Sequence, residues 1–586
     1  MCPLVDCAPG RPPRAILALA IAVLVAATAA RGQLVSGDPA TYVGLAQSLA
    51  SGAGYYFNGA PHTSYPPGFP LALTPVVAIF GLNVTAAQVY VGLWAVLSLL
   101  TILAYLKKRR EAISTAVTVF ILLNGYLYLL ATTSIRSEPV FMTVLFALLL
   151  SLEGGPSSSV GRPLWLVSLI LLGAAIPATR AVGIAILPAL VASALQAWTR
   201  DIRGGNPVTL KRVEGLCAAG LGALIFTVWW RLWISGASYE SFMVLRNPHV
   251  PDEGLATIGD LAGRIIQNVR IQSAHLGELA SNIGWLQPTW SSPAVLLLSP
   301  IVMVGCLDEL RRPVSIAGWY TLSYVGIILL WPFDEGGRFL APILPLFAVF
   351  AIRGAIIVRP RFWRMLAVAA VLGIGISAIE MRTGGAISRQ QVAWLAAWVG
   401  SLLLCGTISL WRRVSATPFP NRGYRSLAVA SFAGLYVALG VWSIGQRAWS
   451  NVAGLTLSPY EVTRGAISWI AGHTRASDRI MTQWWQGIHL HTGRLTIQMP
   501  VTGDPVKLCT ALDALRPEYV LVTDPPGSSY FRPTEAERFA IIERLYPISF
   551  KLVHGYQGGR IYQFSPPTAH TDCQAVSQRS PGGERR

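Results

Sequence analysis

The chain has 586 residues, is 53% hydrophobic and only 13% charged, and has a mean hydropathy of +0.50. So little polar surface cannot cover a water-soluble globule of this size, which excludes a soluble protein and implies an integral membrane protein. The formal net charge of +18 does not imply a nucleic-acid partner, because the cations stand between apolar runs: Lys107 to Arg110, Arg200 to Arg212, Arg311 and Arg312, Arg353 to Arg364, and Arg412 to Arg425. Every second connection is basic, as the positive-inside rule requires of cytoplasmic loops.

The apolar runs recur at the length a helix needs to cross a bilayer, about 20 residues, and lack the two-residue alternation of a porin-like barrel. In chain order, spans are expected at 15–31, 86–106, 113–133, 138–153, 162–178, 181–198, 213–234, 293–308, 313–331, 339–355, 364–381, 390–411 and 426–445. That is about thirteen helices, with the N-terminus inside and the C-terminal region outside. The first is read as an uncleaved helix, although Arg11 and Arg14 before "AILALAIAVLVAATAARG" also suit a signal peptide.

The first extracytoplasmic loop, 32–85, contains "SGDPATYVGLAQSLASGAGYYFNGAPHTSYPPGFP". Asp38 followed by Pro39 has the spacing of a helix N-cap and a first-position proline. Tyr42, Leu45, Ala46 and Leu49 then recur at helical spacing, a face suited to the bilayer surface. The apolar "PPGFPLALTPVVAIFG" is too short to span and is expected as an interfacial or re-entrant helix. In the long loop 234–292, "LAGRIIQNVRIQSAHLGELA" predicts an amphipathic helix.

After about residue 445 the apolar runs shorten and charges of both signs mix. Strand-like "YVLVT" and "GRIYQF" alternate with helical "SPYEVTRGAISWIAGHT" and "RPTEAERFAIIERLY". The expected organisation is a membrane domain over 1–445, an extracytoplasmic α/β domain over 446–565 and a disordered tail over 566–586. No Cys/His spacing encodes a metal site, and Cys509 and Cys573 can pair in an oxidising compartment. His489 and His491 in "WWQGIHLHTGR" alternate without a third ligand and read as structural.

Ionisable groups at the outer ends of spans are the candidates for chemistry. Arg136 and Glu138 lie in "IRSEP", Arg180 in "ATRAVG", and Asp334, Glu335 and Arg338 in "WPFDEGGRFLAPILPL". A single such residue reads most simply as snorkelling to headgroups, but several on one membrane face form an anionic-headgroup site plus a base.

The stretches "GDPATYVGLAQSLASGAGY", "YPPGFPLAL", "SEPVFMTVLFALLL", "ATRAVGIAILPAL" and "GRFLAPILPLFAVFAIRG" resemble those of GT-C glycosyltransferases. The resemblance is to bacterial members of the protein O-mannosyltransferase and aminoarabinose-transferase superfamily and runs from Ala15 to about Phe564. It implies a GT-C helical membrane domain with an extracytoplasmic C-terminal domain, and transfer of a sugar from a polyprenyl-phosphate carrier to an acceptor outside the cytoplasm. It further implies Asp38 as general base and Arg338, Arg180 and Arg136 as phosphate-binding residues. Glu138, the second catalytic candidate, is expected from its position to orient the acceptor or to pair with Arg136. Arg338 matches the family's R-[YF]-L-x-P arginine. Tyr65 and Glu335 are expected to line the substrate cavity. Pro39 stands beside Asp38 where some members carry a second acid, so no cofactor is implied with certainty and a divalent metal stays an open alternative. The expected partners are the lipid-linked donor, membrane lipid and an extracytoplasmic acceptor, in the plasma membrane, with no nucleic acid. A transporter or flippase of lipid-linked glycans and a non-catalytic glycan-binding relative are the competing readings.

Overall fold

A computed structural model describes residues 35–109, 120–121, 124, 127, 135–155, 161–201, 208–234, 241–248, 253–281, 289–312, 314–358, 362–383, 395, 399, 401, 403, 463–523, 533–546 and 548–565. The expected spans 15–31 and 426–445, most of 113–133 and nearly all of 390–411, Cys573 and the tail 566–586 lie outside the described residues.

Helix α1, Asp38–Ala50, is followed by a hairpin of β1, Tyr56–Phe57, and β2, Ala60–Pro61. Helix α2, Gly68–Phe80, has 13 residues, a rise of about 20 Å that is short of a hydrocarbon core. Then come α3 (Val84–Lys108), α4 (Glu138–Gly154), α5 (Arg162–Thr179), α6 (Ile186–Asp201), α7 (Val208–Trp233), α8 (Ile258–Ser281), α9 (Ser299–Leu310), α10 (Ile316–Leu330), α11 (Leu344–Val358) and α12 (Phe362–Thr383). Among the described residues, six stretches are long and apolar enough to cross a membrane: Val84–Lys108, Arg162–Thr179, Ala181–Thr199, Lys211–Trp233, Ala341–Val358 and Arg364–Arg382. The expected spans at 138–153 and 313–331 are helical as α4 and α10, and α9 covers most of 293–308.

The C-terminal region alternates α13 (Arg464–His473), β3 (Arg479–Thr482), α14 (Trp485–Thr492), β4 (Leu495–Gln498), α15 (Pro505–Leu515), β5 (Tyr519–Thr523) and α16 (Glu535–Leu545), and closes with β6 (Phe550–Tyr556) and β7 (Gly559–Phe564). One five-stranded sheet results, in the order β4-β3-β5-β7-β6. Strand β3 runs parallel to β4 and β5, and β7 pairs antiparallel with β5 and β6. Chain contacts divide the protein into a helical unit, residues 1–28, 91–244 and 256–450, and a mixed unit, residues 29–90, 245–255 and 451–586.

Lipid gives helices no hydrophobic reason to associate, so close backbone approach matters there. In the helical unit a Cβ on Gly222 would strike the Ile170 carbonyl and one on Gly173 the Ala219 carbonyl, so α5 and α7 touch backbone to backbone. Gly305 and Gly354 do the same for α9 and α11 against the carbonyls of Phe350 and Ile301. Three arginines from different basic connections converge on Glu309, which is 1% exposed. Arg109 Nη2 donates to both carboxylate oxygens at 2.7 and 2.9 Å, Arg312 Nε stands 3.2 Å away, and Arg353 Nη1 also donates. Gln196 ties the following turn, donating to the carbonyls of Leu310 (2.6 Å) and Arg312 (3.0 Å) and accepting from Ser315 N and Trp319 Nε1.

In the mixed unit the sheet is covered by apolar side chains of α15 and α16, among them Leu508, Leu512, Phe539 and Ile542. At the ends of β3 and β5 the buried Glu535 accepts from Gln483 N, Thr482 Oγ1, and Thr523 N and Oγ1. Arg538, fully buried, donates to the carbonyls of Met499 and Pro500 and to Gln483 Oε1. The buried charges of Glu535 and Arg538 are thus hydrogen-bonded inside the domain. Cys509 is disulfide-bonded.

Removing a buried carboxylate from its cations leaves charges uncompensated in an apolar setting. Glu309→Ala is expected to cost about 3–5 kcal/mol and lower the thermal midpoint of the detergent-solubilised protein. An unchanged midpoint would show that Arg109 and Arg353 are held by other partners.

Candidate active site

Glu138 opens α4 and is fully buried. Its Oε1 accepts a hydrogen bond from Arg338 Nε at 2.9 Å and forms an ion pair with Arg180 Nη1 at 2.7 Å. Arg338 also donates through Nη1 to Glu335 Oε2 at 2.9 Å, and Arg136 adds a third attractive charge on Glu138. The expected pairing of Glu138 with Arg136 is therefore joined by two stronger partners. Arg180 ends α5 in extended conformation, after Pro177 inside the helix, and its guanidinium lies over Phe141 and Phe339 at 5.9 and 5.7 Å. Glu138 Oε2 and the hydroxyls of Ser137 and Tyr320 are buried without a hydrogen-bond partner among the described residues. Three arginines against two glutamates leave the cluster with surplus positive charge, and planar guanidiniums suit phosphate oxygens.

The Arg338 turn is built from outside its own sequence. Asp334 Oδ1 accepts from Gly336 N at 2.9 Å, and Gly336 takes φ 63°, a conformation suited to glycine. Helix α8 lies along this turn: His275 Nε2 meets Asp334 Oδ1 at 2.9 Å, and its Nδ1 stands 3.5 Å from Glu278 Oε2. Asn268 Nδ2 donates to the carbonyls of Leu329 (3.0 Å) and Trp331 (2.7 Å), which close α10. Burial opposes the charged imidazole, but the bonds to Asp334 and Glu278 outweigh it and lift His275 to about 9. Asp334 is correspondingly lowered, first by its bond to His275. Sequence reading missed His275, whose only signal was a histidine on the inner face of an amphipathic helix.

In the mixed unit Tyr65 Oη donates to Asp38 Oδ1 at 2.6 Å. The Tyr65 main chain is held on both sides: its N–H donates to His62 Nε2 (3.1 Å), and its carbonyl accepts from Tyr55 Oη (2.9 Å). Tyr42 packs on Tyr65 and Phe69, with ring centroids 5.0 and 4.8 Å away. Burial lowers His62 to about 4, consistent with an acceptor imidazole. Two expectations are corrected here. Asp38 is the first helical residue, after Gly37 at φ 62°, rather than the cap, and Pro39 is the second. Tyr42, Leu45 and Ala46 are buried in protein instead of lying on the bilayer, with Tyr65 and Phe69 packed on the Tyr42 ring. Released from capping, the half-buried carboxylate is held by a phenol as a proton acceptor. His489 and His491 receive main-chain N–H groups of Asn58 and Val35. Among the described residues no group of three His, Cys, Asp or Glu side chains is placed to hold a metal ion.

No protein-family model matches the sequence, and no curated protein matches it. Among solved structures, ArnT from Cupriavidus metallidurans bound to undecaprenyl phosphate is similar with a TM-score of 0.50 and 17% identity, covering 94% of this chain and 97% of that one. The apo state of the same protein gives a TM-score of 0.48 and 16% identity over the same shares. The likeness to the bound form carries the fold: the chain is an α-helical polytopic membrane protein with the fold of that ArnT structure and a small C-terminal α/β domain.

His275 gains its partners on folding, so its contribution to stability is fully present below about pH 6.5 and is lost as pH rises through about 9. Thermal midpoints measured from pH 6 to 10 are expected to fall across that window in the wild type and to stay flatter in His275→Ala. Parallel curves would assign the alkaline loss to another group.

Proposed function

We propose that the protein is a membrane glycosyltransferase that moves a sugar from a polyprenyl-phosphate carrier to an acceptor outside the cytoplasm. The observation that carries this reading is the pair of nearly buried arginines, Arg180 and Arg338, gathered on Glu138 with net positive charge inside an apolar helical unit. Such a site suits the phosphate of a lipid. The solved structure of similar fold holds undecaprenyl phosphate, over a length that covers nearly all of this chain.

A phosphate-linked sugar needs no protonated acid for its departure, because the carrier phosphate leaves as a stable anion whose charge guanidiniums gather. One base is then enough. In this mechanism the acceptor oxygen forms a bond to the anomeric carbon as the bond from that carbon to the phosphate oxygen breaks. The acceptor proton passes to the Asp38 carboxylate, and configuration at the carbon inverts. Tyr65 orients that carboxylate, Arg180, Arg338 and Arg136 receive the phosphate, and Glu138 and Glu335 hold the guanidiniums in place. The first loop and the C-terminal domain work outside the plasma membrane.

Asp38→Asn keeps the size of the side chain and removes the base, so transfer in membranes is expected to fall about 10²–10⁴-fold with insertion unchanged. Near-wild-type turnover of correctly inserted Asp38→Asn would exclude Asp38 as the base. Arg338→Ala is expected to raise the KM for a polyprenyl-phosphate sugar at least about tenfold, the loss of one charge-assisted bond. Uptake of lipid-linked glycan by proteoliposomes without release of polyprenyl phosphate would replace the transferase by a flippase.

A further inference from the structure

The loop bearing Asp38 is fastened to the C-terminal domain by a set of contacts with a common chemistry. Asn58 and Gly59 form the two-residue turn of the β1–β2 hairpin with φ 54° and 80°, the left-handed pair that favours Asn-Gly. The Asn58 side chain then treats the edge strand β4 as a sheet neighbour. Its Nδ2 donates to the Thr496 carbonyl at 2.7 Å, and its Oδ1 accepts from Thr496 N at 2.9 Å. Its own N–H donates to His489 Nε2 at 3.1 Å, while His489 Nδ1 donates to the Arg494 carbonyl at 2.7 Å. These two bonds define one tautomer of a neutral imidazole.

The other end of the loop repeats the pattern. Val35 N donates to His491 Nε2 at 3.4 Å, and Gly487 lets α14 approach so closely that a Cβ would stand 2.9 Å from the Val35 carbonyl and the Ser36 side chain. Phe57 packs edge-on to His489 and Trp485 at 4.9 and 5.9 Å. Gly44 of α1 abuts Phe57. Contacts from α14 therefore flank Asp38 in sequence, at Val35 and Ser36 before it and at Phe57 and Asn58 after it.

We propose that Asn58 and His489 are positioning residues: the C-terminal domain clasps the first extracytoplasmic loop and thereby fixes the Asp38 carboxylate. The proposal rests on reading Asp38 as the base. A protonated His489 would turn a donor toward the Asn58 N–H, so the clasp holds only while the ring is neutral. Among the described residues, Arg494, whose main-chain carbonyl holds His489 Nδ1, has its guanidinium tied to Thr474 and the Ala471 carbonyl, His491 lies two residues on in α14, and His62 packs 6.5 Å from the Phe57 ring that meets His489. Burial lowers His489, with the bond to Arg494 acting against it.

The test compares Asn58→Gly, which keeps the left-handed turn but removes the clasp, with His489→Ala and His489→Gln, whose side-chain oxygen restores an acceptor that does not titrate. Amide exchange of the first loop and steady-state transfer are measured on the full-length protein in nanodiscs. The clasp predicts at least about tenfold faster exchange at residues 35–65 in Asn58→Gly and His489→Ala, a kcat loss of up to about 10²-fold with the donor KM unchanged, and recovery of both in His489→Gln with a flatter acid limb. Wild-type exchange in Asn58→Gly and His489→Ala, or a kcat loss without faster exchange, would overturn it. Should no donor support transfer in any form, the glycosyltransferase reading fails while the exchange data still decide the clasp.

Discussion

A carboxylate taken out of water must bring its cations with it, and the helical unit is organised around that rule. Glu138 is fully buried with Arg180 and Arg338 on one oxygen, and Glu309 is 1% exposed beneath Arg109, Arg312 and Arg353. Each hub gathers side chains from segments far apart in sequence. The same physics thus fixes helix ends around Glu309 and concentrates guanidiniums around Glu138. The two differ at the carboxylate itself: both oxygens of Glu309 accept hydrogen bonds, whereas Glu138 Oε2 is buried without a hydrogen-bond partner among the described residues.

The division between what was legible in the sequence and what was not follows the range of the interactions. Apolar runs of spanning length and their basic connections are local properties, and so are "YVLVT" and "GRIYQF", which form β5 and β7. The grouping of Arg180, Arg338 and Glu138 was legible as sidedness, because charges at span ends on one face have little room elsewhere. Their pairing was not, since hydrogen-bond partners 200 residues apart leave no local signal. Asp38 shows the opposite failure. Its neighbour Pro39 imitates a capping pattern, yet Gly37 takes the cap position and Tyr65 takes the carboxylate. Tyr42 and Leu45 look like a lipid-facing stripe, because helical periodicity tells which residues share a face but not whether lipid or protein covers it.

The two clusters supply different parts of one reaction in the proposed mechanism. In it, guanidiniums would stabilise the leaving phosphate, and the second carboxylate that glycosidases need would not be required. What is demanded of the single carboxylate is geometry. Asp38 is served by a phenol at 2.6 Å, whose own main chain is bound through His62 and Tyr55. Packing around Tyr42 and Phe69 then limits how far that assembly can turn.

The bond between Asn58 and Thr496 joins residues 438 positions apart. A chain synthesised from its N-terminus makes Asn58 438 residues before Thr496. Contacts of such range cannot form until both partners exist. The loop must therefore wait through the insertion of all intervening helices before its partner arrives. On the proposed clasp the carboxylate is set in place only after β4 has been made, and a chain that stops short of β4 carries every residue of the loop without that geometry.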